Sequence, residues 1–243
     1  MNKGYYAVRS MIWETFLKIN SAMSLGNRIK ENSRRFRASV AGHKLMEHLG
    51  YVSTSRVIEN QWILNNLPKE KTKILDVGCC DSFFVFYLLD NGYDTWGIDI
   101  RNCPINNFYK QDISKKTTIP DNSFDIITCV STIEHIGLGS YGDRKDIKGD
   151  LNAMQEIRRI LKPKGLLLLT IPYSSVFKIE KGISDARLYD SKRLNMLIKR
   201  FKIIKEEYFL RLSNKYKKVP KVVADKLYPK HRDDSIVCLK LEK

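Results

Sequence analysis

From Thr54 onward the chain alternates short apolar runs with amphipathic stretches, and the alternation is regular. Ser55–Leu67 has helical spacing and stops at Pro68. Lys73–Val77 is a short apolar run that predicts a strand. A helix follows over Ser82–Asn91, with Phe83, Phe84, Phe86, Tyr87 and Leu88 to pack. Further strands are predicted at Asp94–Ile100, Phe108–Asp112, Phe124–Val130, Leu166–Ile171, Phe201–Leu212 and Ser235–Leu241. Helices fall between them at Leu151–Leu161 and Ser191–Arg200. Leu166–Ile171 is apolar except for Thr170, as a strand buried on both faces requires. The alternation predicts an α/β domain: a Rossmann-like, seven-stranded, mostly parallel sheet with helices on both faces. Ligands of such sheets sit beyond the carboxyl ends of the strands, so functional residues are expected just after each strand.

The first 54 residues read differently. Tyr5, Val8, Ile12, Phe16 and Ile19 can share one helical face, and a second helix is predicted over Ile29–Leu49. The division is therefore 1–54 as a helical extension (a lid, a membrane-surface foot or a dimer contact) and 55–243 as the catalytic-type domain.

Composition narrows the class. Hydrophobic residues are 43% and charged residues 29%, an ordinary globular balance. No apolar run approaches the ~20 residues a bilayer demands, and the opening segment interrupts its apolar residues with Arg9, Glu14 and Lys18. A cytoplasmic protein, peripheral to a membrane at most, is the expectation. The net charge of +16 is uneven: residues 1–50 carry +6, residues 192–243 carry +10, and the middle is neutral. Basic ends attract phosphates, anionic lipid or nucleic acid, or are a solvated face. Asn214–Lys230, with Tyr216 and Tyr228 interleaved, is either a grip on phosphate and bases or a helix in solvent. Cys79, Cys80, Cys103, Cys129 and Cys238 have no zinc-ligand spacing and are expected to be reduced and structural, with no metal.

The chemistry is expected at the strand ends. Gly78 follows the first strand and opens a turn where a ligand can approach the backbone. Asp99 ends the second strand, where an acidic side chain meets ribose hydroxyls. Asp112 follows the third. Asp76-Val-Gly-Cys, Gly97-Ile-Asp99, Gln111-Asp112-Ile113 and Leu161-Lys-Pro163-Lys-Gly165-Leu-Leu-Leu together resemble the motifs of class I S-adenosylmethionine-dependent methyltransferases. The resemblance covers about residues 55–243. It implies S-adenosylmethionine as cofactor, with Asp76 and Gly78 at its methionine end, Asp99 on the ribose and Asp112 at the adenine. Cys80, Ile100, Ile113 and Ser131 stand beside them. The family's Gly-x-Gly-x-Gly loop is altered: Cys80 and Ser82 replace the second and third glycines. A dinucleotide enzyme fits less well, because the loop lacks those glycines and gains Asp81, which repels phosphate.

The segment Ser131–Asp143 is glycine-rich, polar and aromatic, as a pocket loop is. Its Glu134-His135 pair resembles the corresponding motif of small-molecule and glycan-pathway methyltransferases. His135 is a candidate general base, or a shaping residue only; Glu134 is there to orient His135 or to bond the cofactor or acceptor. Tyr141, Asp143, Tyr173 and Arg187 are candidate acceptor contacts; Tyr141 and Asp143 equally suit a turn, and Arg187 a local cap. The resemblance implies O-methylation of a small or glycan-like acceptor, lipid-linked ones included. Charge alone leaves an RNA methyltransferase open, and a catalytically inactive scaffold that binds anionic partners through its basic ends is the remaining alternative.

Overall fold

The computed structural model describes residues 23–48, 55–68, 70, 72–81, 84–182, 184–213 and 215–243. The expected helix through Tyr5 and Ile19 and the loop position Ser82 lie outside the described residues.

Helix α1 (Leu25–His48) and helix α2 (Ser55–Asn66) precede strand β1 (Lys73–Val77). A 3-10 turn (Cys79–Asp81), helix α3 (Phe84–Asp90), strand β2 (Asp94–Asp99), strand β3 (Phe108–Lys110) and strand β4 (Phe124–Val130) follow. After β4 come a second 3-10 turn (Ile133–His135), helix α4 (Gly149–Ile160) and strand β5 (Leu161–Pro172). Strands β6 (Lys178–Glu180) and β7 (Ala186–Leu188) form a separate two-stranded sheet. Helix α5 (Ser191–Ile198), strand β8 (Lys202–Leu212), strand β9 (Lys215–Val219), helix α6 (Lys221–Ala224) and strand β10 (Ser235–Glu242) complete the chain.

The main sheet has eight strands in the order β3-β2-β1-β4-β5-β10-β8-β9. The first five are parallel to one another; β10, β8 and β9 run antiparallel to their neighbours. The α/β architecture with a mostly parallel sheet is as expected; the strand count is corrected from seven to eight, with antiparallel strands at one side. The additional strand is β9, within the stretch expected as a solvated basic helix or a phosphate grip. Leu212 pairs with Lys215 across a two-residue connection, and Ser213 takes φ 58° there, so the chain turns straight back as a hairpin. Along β9, Tyr216 is buried while Lys215, Lys217 and Lys218 face solvent, a lysine-guarded edge strand.

Alternation along the strands builds a core on each face. Leu75, Val77, Leu167, Leu169, Ile171, Val237, Leu239 and Leu241 pack with Ala153, Met154, Ile157 and Ile160 of α4 and Leu194 and Leu197 of α5. Ile74, Leu168, Ile236 and Cys238 face the other way, onto Trp62 and Ile63 of α2 and Phe84 and Leu88 of α3. Phe36 ties α1 to that layer, 5.5 Å from the Phe84 ring and 5.0 Å from Tyr87. Among the described residues no helix is long and apolar enough to cross a membrane. The sheet order reverses direction between β1 and β4, and the carboxyl ends of β1, β2 and β4 open onto one cleft there.

Candidate active site

The cleft is open at its mouth and spans about 730 Å3 with the solvent it admits. Its floor is the turn after β1. Gly78 adopts φ +76°, and a Cβ there would stand 2.4 Å from the Thr132 side chain. Only glycine fits both the backbone and the space. Gly78 N–H donates to the Ile98 carbonyl at 2.9 Å, which draws β1 and β2 together at the cleft edge.

Asp99 closes β2 with its carboxylate in the cleft wall. It accepts from the Cys80 amide at 3.2 Å and the Arg101 amide at 2.9 Å. The Arg101 guanidinium grips it from Nε and Nη2, both at 3.2 Å, and lies 4.9 Å from the centre of the Tyr141 ring. Ile98, Ile100 and Ile113 give the same wall an apolar surface, and Gln111 and Asp112 supply its polar rim. The Asp112 carboxylate is held by the Ser114 amide at 2.9 Å and hydroxyl at 2.6 Å.

The opposite wall is the loop after β4. Ser131 takes φ 42°, an unusual backbone for a non-glycine residue. Its amide bonds Thr170, and its hydroxyl donates to Glu59 of α2, whose carboxylate also accepts from Thr170 Oγ1 at 3.2 Å. Arg56, one turn earlier on α2, lines the cleft and donates to the Val130 carbonyl at 2.8 Å.

His135 sits in the 3-10 turn that follows. Its Nδ1 is 2.6 Å from the Asp185 carbonyl, which fixes the Nδ1–H tautomer and makes Nε2 the acceptor nitrogen. Nε2 lies 3.8 Å from Glu134 Oε1, beyond hydrogen-bond length. The His135 ring meets the Tyr141 ring edge-on at 5.4 Å. Glu134 is 1% exposed, and its Oε2 has no hydrogen-bond partner among the described residues. Burial pushes its carboxyl up to about 8, and the nearby Glu59 charge adds to the effect. Burial likewise raises Asp76 to about 7, against the Thr128 hydroxyl bonded to it at 2.7 Å.

Of the residues expected around the cofactor, Gly78, Asp99, Ile100, Asp112, Ile113 and Ser131 line this one cleft, with His135, Tyr141 and Asp143. Asp76 and Cys80 stand behind it; Cys80 reaches it through its backbone amide on Asp99. Asp143 turns its carboxylate onto the Gly137 amide at 2.6 Å and the Tyr141 amide at 3.4 Å, so it staples the loop. Two residues expected near the acceptor lie elsewhere. Arg187 is fully buried and donates to the carbonyls of Glu134, Ile136, Asp146 and Ile147, at 2.7 to 3.3 Å. Four carbonyl partners make it the anchor of the loop rather than a surface cation. Tyr173 is fully buried, its hydroxyl donating to Asp225 and its ring 4.8 Å from that of Tyr208. Gln111, from the third motif, and Arg56, Arg101 and Thr132, not singled out from the sequence, also line the cleft. Arg101, two residues after the strand-ending Asp99, carried a positional signal; Arg56 is brought in by α2 and carried none.

Residues 99–240 match the model of a family described as "Caenorhabditis protein of unknown function, DUF268". An uncharacterized protein of Methanocaldococcus jannaschii is 27% identical over 65% of this chain and 68% of its own length. YqeM of Bacillus subtilis, provisionally named a methyltransferase, is 26% identical over 60% of this chain and 58% of its own length. The crystal structure of an S-adenosylmethionine-dependent methyltransferase from Methanosarcina mazei superposes with a TM-score of 0.52 at 17% identity, over 74% of this chain and 96% of that one. The fold is therefore that of the class I S-adenosylmethionine-dependent methyltransferases. By the match that spans more than half its length, the chain belongs to the DUF268 family.

Proposed function

We propose that this protein is an S-adenosylmethionine-dependent methyltransferase that methylates a hydroxyl of a small or glycan-like acceptor. The observation that carries the reading is the convergence of Gly78, Asp99, Asp112 and His135 on one cleft at the carboxyl ends of β1, β2 and β4. The cleft fits the cofactor in kind. Gly78 leaves bare backbone where a Cβ would collide, the Asp99 carboxylate suits a ribose diol, and Ile98, Ile100 and Ile113 offer an apolar seat for a purine beside Gln111 and Asp112. The amides of the loop, with Arg56 beside Val130, suit an amino-acid carboxylate.

When bound, the cofactor supplies an electrophilic methyl group on a sulfonium. The protein's part is alignment and proton removal. Asp99 and Asp112 hold the two ends of the nucleoside. Asp99, held by Arg101 beside the Tyr141 ring, would take the ribose hydroxyls as further donors. His135, with Nδ1–H committed to Asp185, presents Nε2 as the atom that accepts the acceptor's hydroxyl proton. Glu134, 3.8 Å from Nε2, is the buried carboxyl whose ionisation the resulting imidazolium would favour. The likeness of the Glu134-His135 loop to glycan-pathway methyltransferases supports the acceptor class. The +10 charge of residues 192–243 suits a phosphate-bearing or lipid-linked acceptor at an anionic surface.

Calorimetric titration with S-adenosylmethionine and with S-adenosylhomocysteine tests this. Micromolar binding is expected, with Asp99→Ala weakening it at least ~tenfold while circular dichroism stays unchanged. Absence of binding at millimolar cofactor would overturn the proposal; unchanged affinity in Asp99→Ala would remove Asp99 from the site.

A further inference from the structure

Behind the cleft floor, three cysteines from two segments meet. Cys79 and Cys80 belong to the 3-10 turn after Gly78, and Cys103 to the loop after β2. Their Sγ atoms all lie within 4.8 Å of one another, and all three residues are buried. The packing reserves the space. A Cβ on Gly97 would stand 2.7 Å from the Cys79 sulfur and 3.0 Å from Ile105 Cδ1, so β2 carries no side chain where that sulfur sits. Val85, Phe86 and Ile105 enclose the cluster with apolar surface. The carbonyl oxygens of Arg101 and Asn102 lie 3.7 and 3.3 Å from the Cys80 sulfur. By contrast, Cys129 and Cys238 belong to the two separate core layers of the sheet.

Buried cysteines are ordinarily small hydrophobes, for which no common focus is needed. Three sulfurs directed at one point match a different requirement. A d10 cation holds thiolates at ~2.3 Å, which places them about 4 Å apart. From the widest separation here, that asks for a contraction of less than about 1 Å. Soft thiolates select Zn(II) or Cu(I) over hard cations.

We propose that Cys79, Cys80 and Cys103 form a binding site for one thiophilic d10 cation, Zn(II) or Cu(I). Each ligating thiol gives its proton to solvent, a metal–sulfur bond replaces each S–H bond, and no electron is transferred. The cation clasps the turn after Gly78 to the loop after Asp99. These are the two segments that the Cys80 amide already joins, through its bond to the Asp99 carboxylate at 3.2 Å. A metal here sets the cleft wall without touching a reacting atom.

The test uses the full chain, reduced, stripped with chelator and kept anaerobic. It is titrated with Zn(II) against a chromophoric chelator and, separately, with Cu(I) against a Cu(I)-specific one. One equivalent of either ion is expected, with a sulfur-to-metal charge-transfer band of three-thiolate intensity when Co(II) replaces Zn(II). Zn(II) uptake would make the site four-coordinate; preference for Cu(I) would make it three-coordinate. Cys103→Ser is expected to lower affinity at least ~tenfold and Cys129→Ser to leave it unchanged. Should Cys103→Ser fail to fold, the Co(II) spectrum and the metal stoichiometry of the native chain still decide. No uptake from micromolar free metal would overturn the proposal, as would affinity that survives Cys103→Ser. Loss of two hydrogens by mass, with no metal bound, would overturn it in favour of a disulfide.

Discussion

Glu134→Gln isolates the most exposed wager of the site, a carboxyl held neutral behind His135. Glu134 is 1% exposed, one of its oxygens lacks a partner among the described residues, and its pKa is raised from 4.5 to about 8, burial being the main cause. The sign follows from linkage. A carboxyl whose pKa is raised by folding keeps its proton in the folded state where the unfolded chain has released it. Its contribution is thus fully present below pH 4.5 and is lost as pH climbs toward 8. While the folded chain holds one extra proton, stability falls by about 1.4 kcal/mol per pH unit. Between about pH 5 and 7 this one group accounts for a loss of ~2–3 kcal/mol. Glutamine has the shape of the neutral acid and nothing to titrate, so the variant loses that much less over the same interval. Asp76, raised to about 7, drifts in the same direction in both proteins and cancels in the comparison. Urea unfolding of the two proteins at both pH values measures it, with the midpoint shift multiplied by m. Parallel pH dependences, within about 0.5 kcal/mol, would show that Glu134 is ionised in the folded state and would refute the reasoning.

Other outcomes follow from the same geometry. Gly78→Ala places a Cβ 2.4 Å from the Thr132 side chain at φ +76°, whereas Gly142→Ala meets open space at φ +91°. The first is expected to cost ~2–4 kcal/mol and the second only ~1, read from urea midpoints, and equal costs would deny the close packing of the cleft floor. His135→Ala is expected to lower turnover at least ~100-fold with S-adenosylhomocysteine affinity changed less than about threefold. An unchanged rate would leave His135 a wall residue.

The chain's own pattern determined more of the fold than of the site. Lys73–Val77 and Phe124–Val130 were legible to the residue, because both are short apolar runs bounded by polar turns and buried on both faces. Strand β9 was not. Lys215-Tyr216-Lys-Lys-Val219 reads as a solvated basic stretch, and only its place at the sheet edge makes it a strand, with Tyr216 buried and its hydroxyl on the Asp233 carbonyl. The three-residue strands β6 and β7 are too short to carry a period at all. At the site, Gly78, Asp99 and Asp112 announced themselves because their position after a strand is itself a local signal. Exposure and partnership are not local. Arg187 read equally as an acceptor contact or a local cap, and four carbonyls around it decide for the structural role; Glu134 acquires its raised pKa chiefly from burial, and Arg56 enters the cleft because α2 packs beside β4. The cysteines show the division most plainly. In sequence Cys79 and Cys80 stand 23 and more residues from Cys103 with no ligand spacing. The parallel pairing of β1 with β2, with Gly97 leaving room between them, brings the three sulfurs to one point, because the ends of adjacent parallel strands meet whatever length of chain connects them.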